Sequence, residues 1–240
     1  MQERQIEFAS AARSFAGVLI EPGSASVQQG RSRPGVLVLH GGAGPGAHER
    51  ERALRLVELG YVAFIPNLFG EPFESREHGM SVIRGLVDDP AALRTRLADA
   101  LAFLQGQTRV DASRLAAIGF CFGGLAALEL ARSGATMRVA ASFHGGLSTR
   151  APARPGAIRA SVLVCTGAAD PYVPREQRAA FEDEMNGAGA DWQLSLYAHA
   201  QHGFTERGAN RPGCAHDARA DRRSWRALLD LFAEKLGSEA

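Results

Sequence analysis

Two hydrophobic patterns alternate along the chain. Gly35 to Leu39, Tyr61 to Ile65, Leu115 to Ile118, Val139 to Phe143 and Ser161 to Cys165 are short, nearly unbroken apolar runs. Such runs suit strands that helices cover on both faces. Between them lie longer segments with apolar residues at steps of three and four, clearest at Leu93, Leu97, Leu101 and Leu104. That spacing predicts helices over Ala47 to Leu59, Ala91 to Gln105, Leu125 to Arg132, Arg175 to Met185 and His216 to Leu236, with a last strand at Trp192 to Tyr197. Strand, helix and strand in this order build a doubly wound, mainly parallel sheet of about eight strands in one α/β domain spanning the chain.

Two segments depart from the alternation. Residues 1–34 carry shorter pieces, Arg4 to Phe8 and Phe15 to Ile20, read as antiparallel edge strands, followed by a loop at Pro22 to Pro34. Leu68 to Pro90 has no clear period and holds Gly70, Pro72, Gly79, Gly85 and Pro90, so it is expected to arch over the strand ends as an active-site rim.

Composition narrows the partners. With 27 basic and 26 acidic residues in 240, there is no electrostatic case for nucleic acid or an anionic membrane surface. A small molecule is the expected partner, bound by a monomer or a homodimer. No run approaches the ~18 apolar residues of a membrane span, and the N-terminus has no apolar signal core. The cysteines Cys121, Cys165 and Cys214 are too few and too scattered for a disulfide framework. A reducing, cytoplasmic location is the expectation.

The chemistry centres on Arg114 to Gly124, R-L-A-A-I-G-F-C-F-G-G. A buried strand turning sharply into a helix places Cys121 at the corner, which is the G-x-S-x-G elbow with sulfur in place of hydroxyl. Glycines on either side allow strand and helix to cross closely, and the helix N-terminus favours a thiolate. Cys165 reads as core, and nothing near Cys214 suggests activation.

A nucleophilic thiol needs a base, and the base needs an orienting group. Asp170 follows the strand Ser161 to Cys165, and His202 follows Trp192 to Tyr197. In a parallel sheet these loops open at the same edge as the corner. His199 competes with His202, but Gly203 and Phe204 give His202 a tight turn with an apolar anchor. Backbone N–H groups of Phe122 and of Gly42, or its neighbour Gly41, are candidates for an oxyanion hole. His40 and His144 end strands and are expected to line the pocket. The glycines after Leu39 also fit a dinucleotide fingerprint, but no acidic residue ends the next strand to hold a ribose, and the elbow is left unexplained.

The segments G-F-C-F-G-G, A-D-P-Y-V-P and H-G-F, in that order, resemble the dienelactone hydrolase family of α/β-hydrolases, the carboxymethylenebutenolidase-like enzymes. The resemblance implies a hydrolase of small esters or lactones without metal or cofactor, in which Cys121 attacks the carbonyl, His202 moves the proton and Asp170 orients His202. Two departures accompany it. Gly41 stands where dienelactone-cleaving members carry a glutamate that contacts the resting thiol, so thiol control must differ. Four residues after His202, where those members have a substrate-binding arginine, this chain has Glu206, with Arg207 adjacent as the remaining candidate. The other expected arginine is missing from L-F-G-E-P-F. The rival function is a redox-sensitive or ligand-binding homologue without turnover.

Overall fold

In a computed structural model, residues 1–23, 32–70 and 72–237 are described. Most of the loop expected at Pro22 to Pro34, and Glu71 of the expected rim, lie outside them. The strands are β1 (Gln2–Ser10), β2 (Arg13–Glu21), β3 (Arg33–Leu39), β4 (Val62–Pro66), β5 (Val110–Phe120), β6 (Val139–Phe143), β7 (Ser161–Gly167) and β8 (Trp192–Tyr197). They form one sheet in the order β1-β2-β4-β3-β5-β6-β7-β8. β1 pairs antiparallel with β2, and β2 with β4; every later pairing is parallel.

The helices are α1 (Ala47–Glu58), α2 (Arg76–Asp88), α3 (Pro90–Gln105), α4 (Phe122–Arg132), α5 (Arg175–Ala188) and α6 (Ala218–Leu236). Alternate residues of β3 show how the layers divide. Leu37 and Leu39 face a core built with α3, α4 and α5, while Val36 and Val38 face one built with α1 and α6. Both faces are covered, which is why the strand reads as continuously apolar.

The expected order of strands and helices is present, with two additions. Leu68 to Pro90 contains α2, which lacked a visible period. Ser75 caps its first turn by accepting from the N–H of His78, and α3 follows at once behind an Asp89 cap and Pro90. A small hairpin, β9 (Asn210–Arg211) and β10 (Cys214–Ala215), was also unforeseen. The chain leaves β3 for β4 on one side, then crosses back so that β5 lies on the other. A crevice opens at such a reversal, outside the carboxyl ends of the strands.

Candidate active site

Four loops meet at that carboxyl edge, after β3, β5, β7 and β8. Cys121 ends β5 with φ 54° and ψ −113°, a backbone conformation that few non-glycine residues adopt. Its two glycine neighbours explain how the corner closes. A Cβ on Gly119 would lie 1.9 Å from the carbonyl oxygen of Gly123, and one on Gly123 would lie 2.1 Å from that of Leu39. No side chain can occupy either position without separating β5, α4 and β3.

His202 is nearly buried, and its ring spans the other two candidates. Nδ1 lies 2.9 Å from Asp170 Oδ2, and Nε2 lies 3.0 Å from Cys121 Sγ. Burial disfavours charge on this ring, but hydrogen bonds to Asp170 and Cys121, together with the charges of both, outweigh it and raise His202 to about 10. Asp170 serves two purposes. Oδ2 holds the imidazole, while Oδ1 accepts from the N–H of Tyr172 at 2.8 Å, so one carboxylate fixes both the ring and the turn around Pro171. His199 is exposed and makes no such contact.

The β8 loop is held by more than its glycine. His202 N–H donates to Gly213 O and Ala215 N–H to His202 O, so the small hairpin clamps the histidine backbone. Gly203 has φ 64°, and a Cβ there would meet Cys214 Sγ at 2.7 Å. Cys214 is thus packing material. Burial raises its thiol pKa, and it pushes Cys165, deep in β7, to about 12.

The other expected site residues separate into two groups. Gly41 lies beside the corner, where a Cβ on it would come within 3.7 Å of Cys121 Cβ, and Gly42 follows it against Ile83. The Gly41 N–H is taken by Glu49 Oε1 at 3.2 Å. Among the described residues the N–H groups of Gly42 and Phe122 have no acceptor. Phe122 N–H is one of the unpaired donors in the first turn of α4.

His40 and His144 do not line a pocket. Both are fully buried with both ring nitrogens engaged. His40 donates from Nδ1 to Gly41 O and accepts the Leu68 N–H at Nε2, tying the rim segment to β3. Burial lowers its pKa to about 4, so it stays neutral. His144 accepts the Cys121 N–H at Nδ1 (3.2 Å) and faces Thr205 Oγ1 with Nε2 (2.8 Å). Their positions after strand ends could not reveal that backbone groups already occupied them.

Arg207 is exposed and pairs with Glu51 at 3.1 Å. It lines a cavity of about 480 Å³ with His48, Glu206, Arg211 and Cys214. Burial raises the pKa of Glu206 there. The sequence reading missed Glu49, Thr205 and Arg52. Glu49 alone left a signal, as an acid in the first turn of a helix after a glycine loop. Arg52 is a buried cation that donates to Thr205 O at 2.8 Å and meets Asp221 at 2.9 Å.

Among the described residues no group of three or more His, Cys, Asp or Glu is arranged to hold a metal ion, and no helix is long and apolar enough to cross a membrane. The sheet, its helices and the edge where these loops converge make this an α/β-hydrolase fold. The chain belongs to the dienelactone hydrolase family, whose model matches residues 15–236.

Its relatives agree. A Bradyrhizobium protein named as a probable 2-oxo-3-(5-oxofuran-2-ylidene)propanoate lactonase is 30% identical over 77% of this chain and 79% of its own. A solved structure named m3DLH superposes with a TM-score of 0.90 at 41% identity, covering 98% of both chains. Another, a dienelactone hydrolase-like promiscuous phosphotriesterase, P91, from metagenomic libraries, gives 0.89 at 37% identity over 98% of this chain and 99% of its own.

Proposed function

We propose that the protein is a cysteine-dependent hydrolase of small, uncharged esters or lactones, with Cys121, His202 and Asp170 as its catalytic triad. The observation that carries this reading is the unbroken line Sγ–Nε2–Nδ1–Oδ2, with contacts of 3.0 and 2.9 Å. A ring at about 10 is charged at neutral pH, and its Nε2 lies 3.0 Å from the Cys121 sulfur.

The thiolate attacks the carbonyl carbon, and the carbonyl π electrons move to oxygen. The N–H groups of Gly42 and Phe122 receive that negative charge. Collapse of the intermediate breaks the ester C–O bond, and His202 gives its proton to the departing alkoxide. The acyl group is left as a thioester on Cys121. Neutral His202 then takes a proton from water, whose oxygen attacks the thioester, and the thiolate leaves. Asp170 keeps the ring oriented through both halves.

The preference for an uncharged substrate rests on the charges beside the site. Glu51, Glu206, Arg207 and Arg211 line the adjoining cavity, two acids against two bases, and Arg207 is already paired with Glu51. A lone carboxylate substrate finds no uncommitted guanidinium at position 207. Neutral phosphotriesters are a second class to assay, given the name of the relative at 37% identity.

The test is turnover of p-nitrophenyl acetate and simple lactones by the native protein and by Cys121→Ala, with iodoacetamide alkylation followed cysteine by cysteine. Turnover that vanishes in Cys121→Ala, with alkylation of Cys121 well below pH 8.5, supports the reading. Turnover that survives Cys121→Ala ends it. A thiol that is rapidly and reversibly oxidised by peroxide, without turnover of any ester, favours the redox homologue instead.

A further inference from the structure

We propose that His144 and Thr205 are positioning residues that lock the histidine loop to the nucleophile corner, holding Cys121 Sγ and His202 Nε2 at working distance. The inference rests on the triad reading above and concerns a connection that runs beside the triad.

The connection has one direction, fixed by chemistry. The Cys121 N–H can only donate, so His144 Nδ1 accepts it at 3.2 Å. That N–H is shared with Phe143 O at 3.0 Å, so the ring sits where the strand ladder ends. A neutral imidazole that accepts at one nitrogen carries its proton on the other. His144 Nε2–H therefore donates to Thr205 Oγ1 at 2.8 Å. The threonine hydroxyl also lies 3.3 Å from His48 Nε2, to which it can give its proton or from which it can accept one. Reversing either bond of the His144 ring would put its proton on Nδ1 and turn two protons toward each other at the Cys121 N–H.

Everything around this chain keeps it in that state. His144 is fully buried, and burial, with the positive charge of His202 next in weight, holds its pKa well below 6.5. Its ring meets His202 edge to face, with centroids 5.1 Å apart. A second cation there would oppose the charge on His202, so a neutral His144 protects the ion pair. Thr205 is equally buried, three residues after His202. Its carbonyl is held by Arg52, whose guanidinium lies near the rings of Phe120 and Trp225. The hydroxyl thus joins the corner after β5 to the loop after β8 through a pinned backbone. Asp170 and the small hairpin hold His202 from its own side, whereas this hydroxyl links the histidine loop to the ring that accepts the Cys121 N–H.

The test compares Thr205→Val, which keeps the shape and removes the hydroxyl, with Thr205→Ser, which restores the hydroxyl. Thr205→Val is expected to lower kcat for p-nitrophenyl acetate by about 10- to 100-fold with KM within about twofold, as a misplaced reacting group does. Its Cys121 alkylation profile should move toward the ordinary thiol range near pH 8.5. Thr205→Ser should recover most of both. In ¹⁵N-histidine spectra His144, assigned by the signal lost in His144→Gln, should show a bare Nδ1 and a protonated Nε2.

A Thr205→Val protein with native kcat and a native alkylation profile overturns the proposal. So does an equal loss in Thr205→Ser, or a protonated Nδ1 on His144. Alkylation and spectra need no turnover, so a failed triad reading, seen as activity surviving Cys121→Ala, is told apart from a failed lock.

Discussion

Glu49 Oε1 accepts the N–H of Gly41 at 3.2 Å while Oε2 accepts that of Gly46 at 3.0 Å, so one buried carboxylate spans the whole β3–α1 loop. The contact decides which glycine keeps an unused donor: Gly41 is committed, and Gly42 is not. A glutamine cannot take over, because its NH₂ would confront one of the two N–H groups. Glu49→Gln and Glu49→Ala are both expected to lower kcat/KM on an activated ester by about tenfold. That is less than the 100- to 1,000-fold loss typical when an oxyanion donor is removed outright. Unchanged kcat/KM in both variants would remove the loop from the proposed oxyanion hole.

The corner stores backbone strain. Cys121 holds φ 54° without being a glycine, a conformation that costs of order 1–3 kcal/mol. Alanine at this position keeps the penalty and glycine relieves it, at the smaller cost of a more flexible unfolded chain. Cys121→Gly should therefore be more stable than Cys121→Ala by about 1 kcal/mol. Urea denaturation of the two inactive proteins measures the difference, and equal midpoints would mean that the corner is relaxed.

Much of this site was legible because its demands fall on backbone. Gly119 and Gly123 are needed for close crossing, and Asp170 and His202 follow strands that a parallel sheet must bring to one edge. What stayed hidden depends on partners distant in sequence. Nothing local distinguishes His144, whose nitrogens are filled by Cys121 and Thr205, from a histidine that faces a substrate. Thr205 and Arg52 look like ordinary surface residues until the β8 loop folds back onto α1. The helix α2 escaped notice because Gly79 and Gly85 interrupt its pattern and its neighbours Phe69 and Phe73 stack on each other, at 4.6 Å, outside the helix.

Buried neutral histidines set the acid limit of stability. Burial lowers His40 and His48 to about 4, and holds His144 well below 6.5. Below pH 6.5 the unfolded chain takes up protons that the folded one refuses, so stability rises with pH across roughly 4 to 6.5 and is lost as pH falls through that window. Each such histidine contributes up to about 1.4 kcal/mol per pH unit. Urea midpoints between pH 6.5 and 5 should fall steeply, and His40→Asn should flatten the slope by about one proton. A wild-type slope near zero over that range would contradict the burial of these rings.

Tyr172 is the most exposed aromatic side chain in contact with His202. It is 57% exposed, yet its ring stands edge-on to His202 with centroids 4.9 Å apart. Its N–H is fixed by Asp170 Oδ1. The backbone beneath the ring is therefore fixed, which sets the ring beside His202 as a candidate wall of the proposed substrate site. A wall of this kind binds ground state and transition state alike, so its loss raises KM and leaves kcat alone. Tyr172→Ala should raise KM for an aryl ester by about fivefold, in line with an aromatic contact of 0.5–1.5 kcal/mol, while Tyr172→Phe stays near the native value. Esters of methanol, too small to reach the ring, should show little change. If methyl and aryl esters lose equally, the residue acts through His202 rather than on the substrate, and kcat will fall in place of a rise in KM.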